Sequence, residues 1–440
     1  MSSDWPTVQI DQVCDLIVDC VNKTAPVVDE PTLFRMIRTT NIRNGRIDLA
    51  RCRFVDEDTY VKWTRRAALQ FGDVLLTREA PIGEVGFVLE PKGHFLGQRV
   101  MQYRADVTVL SPRFLLYTFL SPALQHQFDS HEGSGSVVSH IRVGDCFKFK
   151  ITLPPLPVQS AIASLLGALD DRIALLRETN ATLEAIAQAL FKSWFVDFDP
   201  VHAKQQGIAP AGMDEATAAL FPDGFDESAL GLVPTGWRAS KLGAETNYLN
   251  RGISPKYVEA GGVLVINQKC VRDFKIDFRK ARRHDDAQRT VKGRELRLGD
   301  VLVNSTGVGT LGRVAQVLNL DELTIVDSHV TVVRAGDRVS WNYLGLAVMR
   351  KQAEIEELGE GTTGQTELNR AKLASLSLVV PPEALQQVFD ASTISLRIRM
   401  SANLQQAQTL TTLRDTLLPR LISGQLRLPQ AEIELTEALA

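Results

Sequence analysis

The chain is short of the features that would place it in a membrane, outside the cell or around a metal. Its five cysteines (Cys14, Cys20, Cys52, Cys146, Cys270) are odd in number and scattered. They form no Cys-x-x-Cys pair and lack matching histidine spacing, which argues against a disulfide framework and against zinc. No apolar run approaches the length of a membrane span, and the start MSSDWPTVQIDQV has no basic residues ahead of a hydrophobic block. A cytoplasmic protein with no membrane partner is the expectation. Charge of one sign is also lacking: the net value is -3, which argues against a uniformly basic nucleic-acid binder. No Gly-Lys-Ser/Thr phosphate loop occurs, which disfavours an ATP-driven motor. What remains is a 440-residue chain, 44% hydrophobic, long enough for two or three domains with proper cores.

One stretch imitates a cofactor motif. Gly307-Val308-Gly309-Thr310-Leu311-Gly312 spells the dinucleotide fingerprint, and Val301 to Val303 supply the strand before it. The fingerprint also needs a helix opening on its last glycine. Here RVAQVLNLDELTIVDSHVTVVR is rich in β-branched residues and alternates like further strand, so the glycines read as turns between strands. A near copy, FGDVLLTREAPIGEVGFV at 71 to 88, keeps Gly83 and Gly86 but has Pro81 where Gly307 stands. The turn is repeated and the phosphate cradle is not.

That copy belongs to a duplication of the whole chain. An offset of 227 residues relates Gly72 to Gly299 and Pro154-Pro155 to Pro381-Pro382. The basic stretch MIRTTNIRNGRID (36 to 48) lies opposite VINQKCVRDFKID (265 to 277). Averages hide this local charge: residues 31 to 66 carry nine Arg or Lys against four Asp or Glu, and 267 to 297 carry eleven against five. A basic run recurring at corresponding places in two copies points to a shared anionic partner.

A helix is expected after each Pro-Pro pair. In the first, Ile162, Leu169, Leu176, Leu183 and Leu190 fall seven apart beside a row of Leu166, Ile173, Asn180, Ala187 and Trp194. The second has Phe389, Leu396, Asn403, Leu410 and Leu417 beside Thr393, Met400, Ala407, Arg414 and Leu421. These are a/d seams of a coiled coil. Roughly 36 helical residues span about 54 Å, more than one small domain needs, so each helix requires a partner, and the duplicate is the economical one. Antiparallel pairing about a centre near residue 178 sets Asn180 against Asn403 as a helix register device. Trp194 and Phe195 are expected to pack where helix meets connector. The fold class is therefore α+β: two duplicated α/β domains separated by two long antiparallel coiled-coil helices, pseudo-two-fold symmetric. The boundaries read 1–155 for the first domain, 156–196 for the central helix, 197–236 for a Pro-, Gly- and acid-rich connector, 237–382 for the second domain, 383–424 for the C-terminal helix and 425–440 for a tail. Pro419 is expected to bend or stop the last helix and Gly424 to cap it.

The segments ITLPPLPVQSAIASLLGALDDRI (151 to 173), ALFKSWFVDFDPV (189 to 201), LFPDGFDESALGLVPTGW (220 to 237) and LRDTLLPRLISGQL (413 to 426) resemble the specificity subunit of type I restriction-modification enzymes. The resemblance covers essentially the whole chain. The second helix start departs from it, since Glu383-Ala384-Leu385-Gln386-Gln387 keeps a glutamine near the place of Gln159 but loses the third proline. The resemblance implies two target recognition domains, each reading one half of a bipartite double-stranded DNA sequence. It implies conserved spacer helices that dock two methyltransferase (M) subunits, with restriction/motor (R) subunits joining later. It places no catalysis and no cofactor in this chain, and S-adenosylmethionine, ATP and Mg in the partner subunits.

Phosphate anchoring needs Lys and Arg, and base reading in the major groove needs Arg, Asn, Gln, Ser or Thr. The candidates in the first domain are Arg38, Asn41, Arg43, Arg46, Arg78, Arg99, Ser136 and Arg142. In the second they are Asn267, Gln268, Lys269, Arg272, Asn304, Ser305, Thr306, His329, Gln365 and Asn369. Because the copies differ at these places, they are expected to read different half-sites. Two rivals stand beside this reading. A DNA-modifying enzyme would show an Asn or Asp before Pro-Pro and an aromatic after it, whereas the pairs here sit as Leu153-Pro154-Pro155-Leu156 and Val380-Pro381-Pro382-Glu383. A coiled-coil adaptor that binds protein and has no DNA specificity fits the helix seams equally well.

Overall fold

The computed structural model describes residues 5–21, 23–130, 140–360 and 367–439, arranged as two compact units. One comprises Met1–Leu176 with Gln406–Ala440, the other Arg177–Gln405. Each contains one copy of the same mixed architecture.

In the first unit, strands β1 (Cys14–Asp19), β2 (Val74–Arg78), β3 (Ile82–Phe87) and β4 (Val100–Ala105) form an antiparallel sheet in the order β1-β4-β2-β3. In the second, β5 (Thr246–Arg251), β6 (Val301–Asn304), β7 (Val314–Gln316) and β8 (Val330–Ala335) repeat it as β5-β8-β6-β7. Each unit adds a smaller sheet with one parallel pair, Phe34–Ile37 on His94–Leu96 and Val263–Ile266 on Thr324–Val326. The central strands are apolar on both faces, with Val74, Leu75, Leu76 and Val301, Leu302, Val303 fully buried, because helices cover one side and the smaller sheet's core the other.

The repeated Gly-Asp-Val is a scaffold device. Gly72 and Gly299 adopt φ of 91° and 89°, a region that favours glycine, and turn the chain into the central strand. The aspartate that follows is buried and takes a forked arginine from the neighbouring strand. Arg104 Nε and Nη2 donate to Asp73 at 2.9 Å each, and Arg334 Nε and Nη2 donate to Asp300 at 2.7 Å each. The cationic form of Arg334 is favoured further by this bond.

Two 40-residue helices follow the Pro-Pro pairs, α1 (Leu156–Phe195) and α2 (Glu383–Ile422). Their starts are built alike. Gln159 Nε2 donates to Pro154 O while its Oε1 accepts from Ser111 N, and Gln386 does the same with Pro381 O and Ser340 N. The changed sequence at the second start leaves this lock intact. Pro419 lies inside α2, which continues three residues beyond it, and Gly424 at φ 72° follows its end. The 425–440 segment, expected as a tail, contains a helix, α3 (Leu428–Leu439), because Ala431 and Leu435 reach the first unit's core and Glu434 binds the Arg420 guanidinium twice, at 2.7 and 2.8 Å.

Within each unit the two helices run antiparallel. In the first, Arg414 Nη1 meets Asp170 Oδ1 at 2.6 Å, and Tyr117 Oη donates to the same carboxylate at 2.8 Å. In the second, Asn403 Nδ2 donates to Asn180 Oδ1 at 2.8 Å, Asn180 Nδ2 caps Met400 O at 3.0 Å, and Arg397 lies 3.6 Å from Glu184. The α1 number rises from 170 to 184 as the α2 number falls from 414 to 397. The foot of α1 closes on an aromatic cluster: Trp194 packs on Phe221 and Phe389, and Phe195 on Trp237, Tyr343 and Phe389, with centroids 5.0 to 5.9 Å apart.

Candidate nucleic-acid interface

At the end of the two central strands the duplication changes chemistry. Arg78 N donates to Arg99 O, and Ser305 N donates to His329 O, both at 2.8 Å; Ile141 N donates to Arg78 O and Leu368 N to Ser305 O. The same three backbone segments therefore meet at the same place in each unit. They carry different side chains. In the first unit Arg99 Nε faces Glu79 Oε2 at 3.2 Å, and exposed Arg142 follows Ile141. In the second, Thr306 Oγ1 and His329 Nδ1 share a hydrogen bond of 2.7 Å, and exposed Asn369 follows Leu368. Asn369 also accepts from Ala371 N at 2.7 Å as the cap of a short helix. Each rim is thus a polar, solvent-facing ledge on a rigid sheet end.

Arg78 is half-buried, with Nη1 on Ile141 O at 2.9 Å and Nε unpartnered. Beneath the second rim Asn304 is fully buried. Its Nδ2 donates to Gln268 O at 3.0 Å while its Oδ1 has no partner. Ser305 is equally buried, 2.5 Å from the Thr331 hydroxyl. Asn41 and Asn267 also face inward: Asn41 accepts from Arg38 N at 3.0 Å, and Asn267 donates to Lys280 O at 3.1 Å and accepts from Lys269 N at 2.9 Å. The four residues hold loops in shape rather than standing at the surface, a distinction the residue types could not reveal.

The basic stretches form matching tight hairpins. Ile42–Arg43 pairs with Arg46–Ile47 across Asn44-Gly45, and Val271–Arg272 pairs with Lys275–Ile276 across Asp273-Phe274, all four turn residues at positive φ. Arg43, Arg46 and Arg272 are exposed on them, and Lys269 is exposed just before the second. Arg43 is tied to Thr39 O at 2.8 Å and lies 3.6 Å from Glu84; Arg46 reaches Asp170 O at 3.2 Å; Arg272 lies 3.5 Å from Asp273. Arg38 and Gln268 are half-buried beside them. Ser136 and Gln365 lie outside the described residues. Sequence reasoning missed Glu79, which pairs with Arg99, and Arg251 and Arg370 beside Asn369. The signal for Glu79 was available, because it sits opposite Thr306 in the duplication.

The cysteines are free, and burial pushes the thiols up, Cys14 to about 12 and Cys52, Cys146 and Cys270 to about 11, so they remain protonated and unreactive. Among the described residues no cluster of His, Cys, Asp and Glu could hold a metal ion, and no helix is long and apolar enough to cross a membrane.

Residues 2–185 match the family model described as the type I restriction modification DNA specificity domain. The specificity subunit of the type I restriction enzyme HindI of Haemophilus influenzae is 23% identical over 403 residues, covering 82% of this chain and 88% of its own. That of the MjaIX enzyme of Methanocaldococcus jannaschii is 24% identical over 367 residues, covering 82% and 78%. Among solved structures, the type I restriction-modification S subunit from M. genitalium superposes with a TM-score of 0.53 at 14% identity over 95% of this chain and 96% of that one, a likeness of fold.

Proposed function

We propose that this chain, which belongs with the specificity subunits of type I restriction-modification enzymes, reads a split target in double-stranded DNA, one half-site per unit. Its part is recognition, and the chemistry resides in partners. The observation that carries the reading is the pair of rims: one scaffold, built twice, presents Glu79, Arg99 and Arg142 in the first unit and Thr306, His329 and Asn369 in the second. Two copies that keep the same buried supports yet present different side chains at corresponding rim positions suit two different ligand edges better than one uniform ligand. Arginine suits guanine edges, and amide and hydroxyl groups suit the mixed edges of adenine or either base. The exposed Arg43, Arg46, Lys269 and Arg272 supply charge for phosphates and fix register without reading sequence. Half-sites on one face of a duplex recur at about a helical turn, ~34 Å, or multiples of it. The two long helices, each shared between the units, serve as the spacer that selects that gap. They also dock two methyltransferase subunits, which bring S-adenosylmethionine, while restriction/motor subunits bring ATP and Mg; such an assembly works in the cytoplasm.

The test is duplex binding by the chain together with methyltransferase subunits, across a salt series. Several phosphate contacts predict a slope of log affinity against log salt of several units. A flat slope overturns the DNA reading and favours the protein-binding adaptor.

A further inference from the structure

The helix pair carries a charge arrangement that the duplication alone does not demand. In two ion pairs between α1 and α2 the carboxylate lies on α1 and the arginine on α2: Asp170 with Arg414 at 2.6 Å in the first unit, Glu184 with Arg397 at 3.6 Å in the second. None of these is a loose surface group. Arg397 is 4% exposed, and Asp170, Glu184 and Arg414 are each about one-fifth exposed at the side chain.

Because α1 and α2 are copies, the obvious mistake for such a chain is to pair like with like, α1 against α1 and α2 against α2 of a second copy. The duplication shift of 227 residues tells what would then meet. It carries Arg397 onto Asp170 and Arg414 onto Ala187, one turn past Glu184. In an α1–α1 pair of the same register, Asp170 of each chain would confront Glu184 of the other. In an α2–α2 pair, Arg397 would confront Arg414. The asparagines repeat the logic: Asn403 lies over the place of Leu176, so an α1–α1 pair would bury Asn180 against leucine, and an α2–α2 pair would bury Asn403 against Ala407.

We infer that Asp170, Glu184, Arg397 and Arg414, with Asn180 and Asn403, form a pairing code that makes each long helix complementary to its duplicate and repellent to itself. The long helices thereby pair α1 with α2, and like-with-like pairing with a second copy is suppressed. Like charges in confrontation select against wrong partners, and buried asparagines fix register in helix pairs. The inference holds whether or not the chain reads DNA.

The decisive variant keeps every intrachain ion pair. Reversing one pair, Glu184→Arg with Arg397→Glu, leaves opposite charges in both units but makes each helix complementary to itself, since Asp170 would now meet an arginine and Arg414 a glutamate. The full chain is unfolded, refolded at high concentration and sized by chromatography with light scattering. The dimer fraction is expected to rise about ten-fold over the unaltered chain, and reversing the second pair as well, Asp170→Arg with Arg414→Asp, should return it to the starting level. Because Arg397 also donates to Asn342 at 3.2 Å, a variant reversing only the Asp170–Arg414 pair provides the same comparison should the first fail to fold. A single-pair reversal that refolds with an unchanged dimer fraction overturns the code. So does a double reversal that dimerises as much as the single.

Discussion

The two units agree where the backbone needs support and differ where solvent begins. The Asp73–Arg104 fork is repeated as Asp300–Arg334, and the Gln159 lock on the helix start is repeated as Gln386. At the sheet end, by contrast, Glu79–Arg99 becomes Thr306–His329 and Arg142 becomes Asn369. A scaffold held fixed by buried polar pairs can tolerate any side chain at its rim, because the rim residues make few contacts that the fold requires. That division lets one architecture carry two different rims, and it makes the comparison breakable at definite places.

The largest effect belongs to the shared supports. Removing one partner of a buried ion pair leaves the other uncompensated and costs roughly 3–5 kcal/mol. Asp73→Ala and Asp300→Ala should each fall at the low end, about 3 kcal/mol, since Arg104 and Arg334 keep 23% and 16% of their side chains exposed. Chemical denaturation of the two variants should give similar losses. A large loss for one and none for the other would show that the units are not equivalent scaffolds.

Next comes the helix contact. Asn180→Leu strands the Asn403 amide in a buried position and should cost about 2 kcal/mol. Adding Asn403→Leu should recover most of that stability, because two leucines pack where two amides bonded. A double variant no more stable than the single would mean that the asparagines contribute more than their mutual bond.

These contacts also mark how far the sequence could be read. The seams announce themselves by their seven-residue spacing, and the duplication fixes the level at which Asn180 and Asn403 stand, so the helices were legible down to residues. The sheet was legible as alternating β-branched strands, though not in its strand order, which depends on contacts far apart in the chain. The rim was legible only in part. Asn41, Asn267, Asn304 and Ser305 share residue type with Asn369 and Thr306, yet the first four serve loops from inside. An amide's capacity to bond does not say whether its partner is a base or a carbonyl; only the surrounding backbone does. The α3 helix was hidden because its anchors, Leu428, Ala431 and Leu435, span only about two turns and the core they reach is built from residues far away in the chain.

A rim exchange sharpens the comparison at the function. Glu79→Thr with Arg99→His gives the first unit the second unit's pair. Reading at the first half-site should shift by about 1–2 kcal/mol in base preference, while the second half-site stays as it was. Sequencing of methylated DNA from cells carrying the variant reports both halves at once. Stability should move by no more than about 0.5 kcal/mol, as for other surface changes. A shift at both halves would break the independence of the two rims.

The smallest expected effect lies where the second unit departs from the first at the packing of α2 against Ser340 and Asn342. Asp390 stands where the duplication has Ala163, and it accepts from Ser340 Oγ and Asn342 Nδ2 at 3.1 Å each. Burial raises its pKa above the usual carboxylate range, and the two hydrogen bonds only partly oppose that. A carboxyl raised on folding binds its proton more tightly in the folded state than in the unfolded one. Its contribution therefore opposes folding at neutral pH, and the opposition fades as the pH falls through the folded value. Asp390→Asn keeps an acceptor for both donors and removes the charge, so the second unit should gain slightly in stability at neutral pH and lose part of its pH dependence in the mildly acidic range. The first unit, with alanine there, should show no such dependence from this position. Thermal unfolding followed from pH 4 to pH 7 in the two proteins decides it: a variant less stable at pH 7 would mean that Arg397, linked through Asn342, holds the Asp390 charge more strongly than burial penalises it.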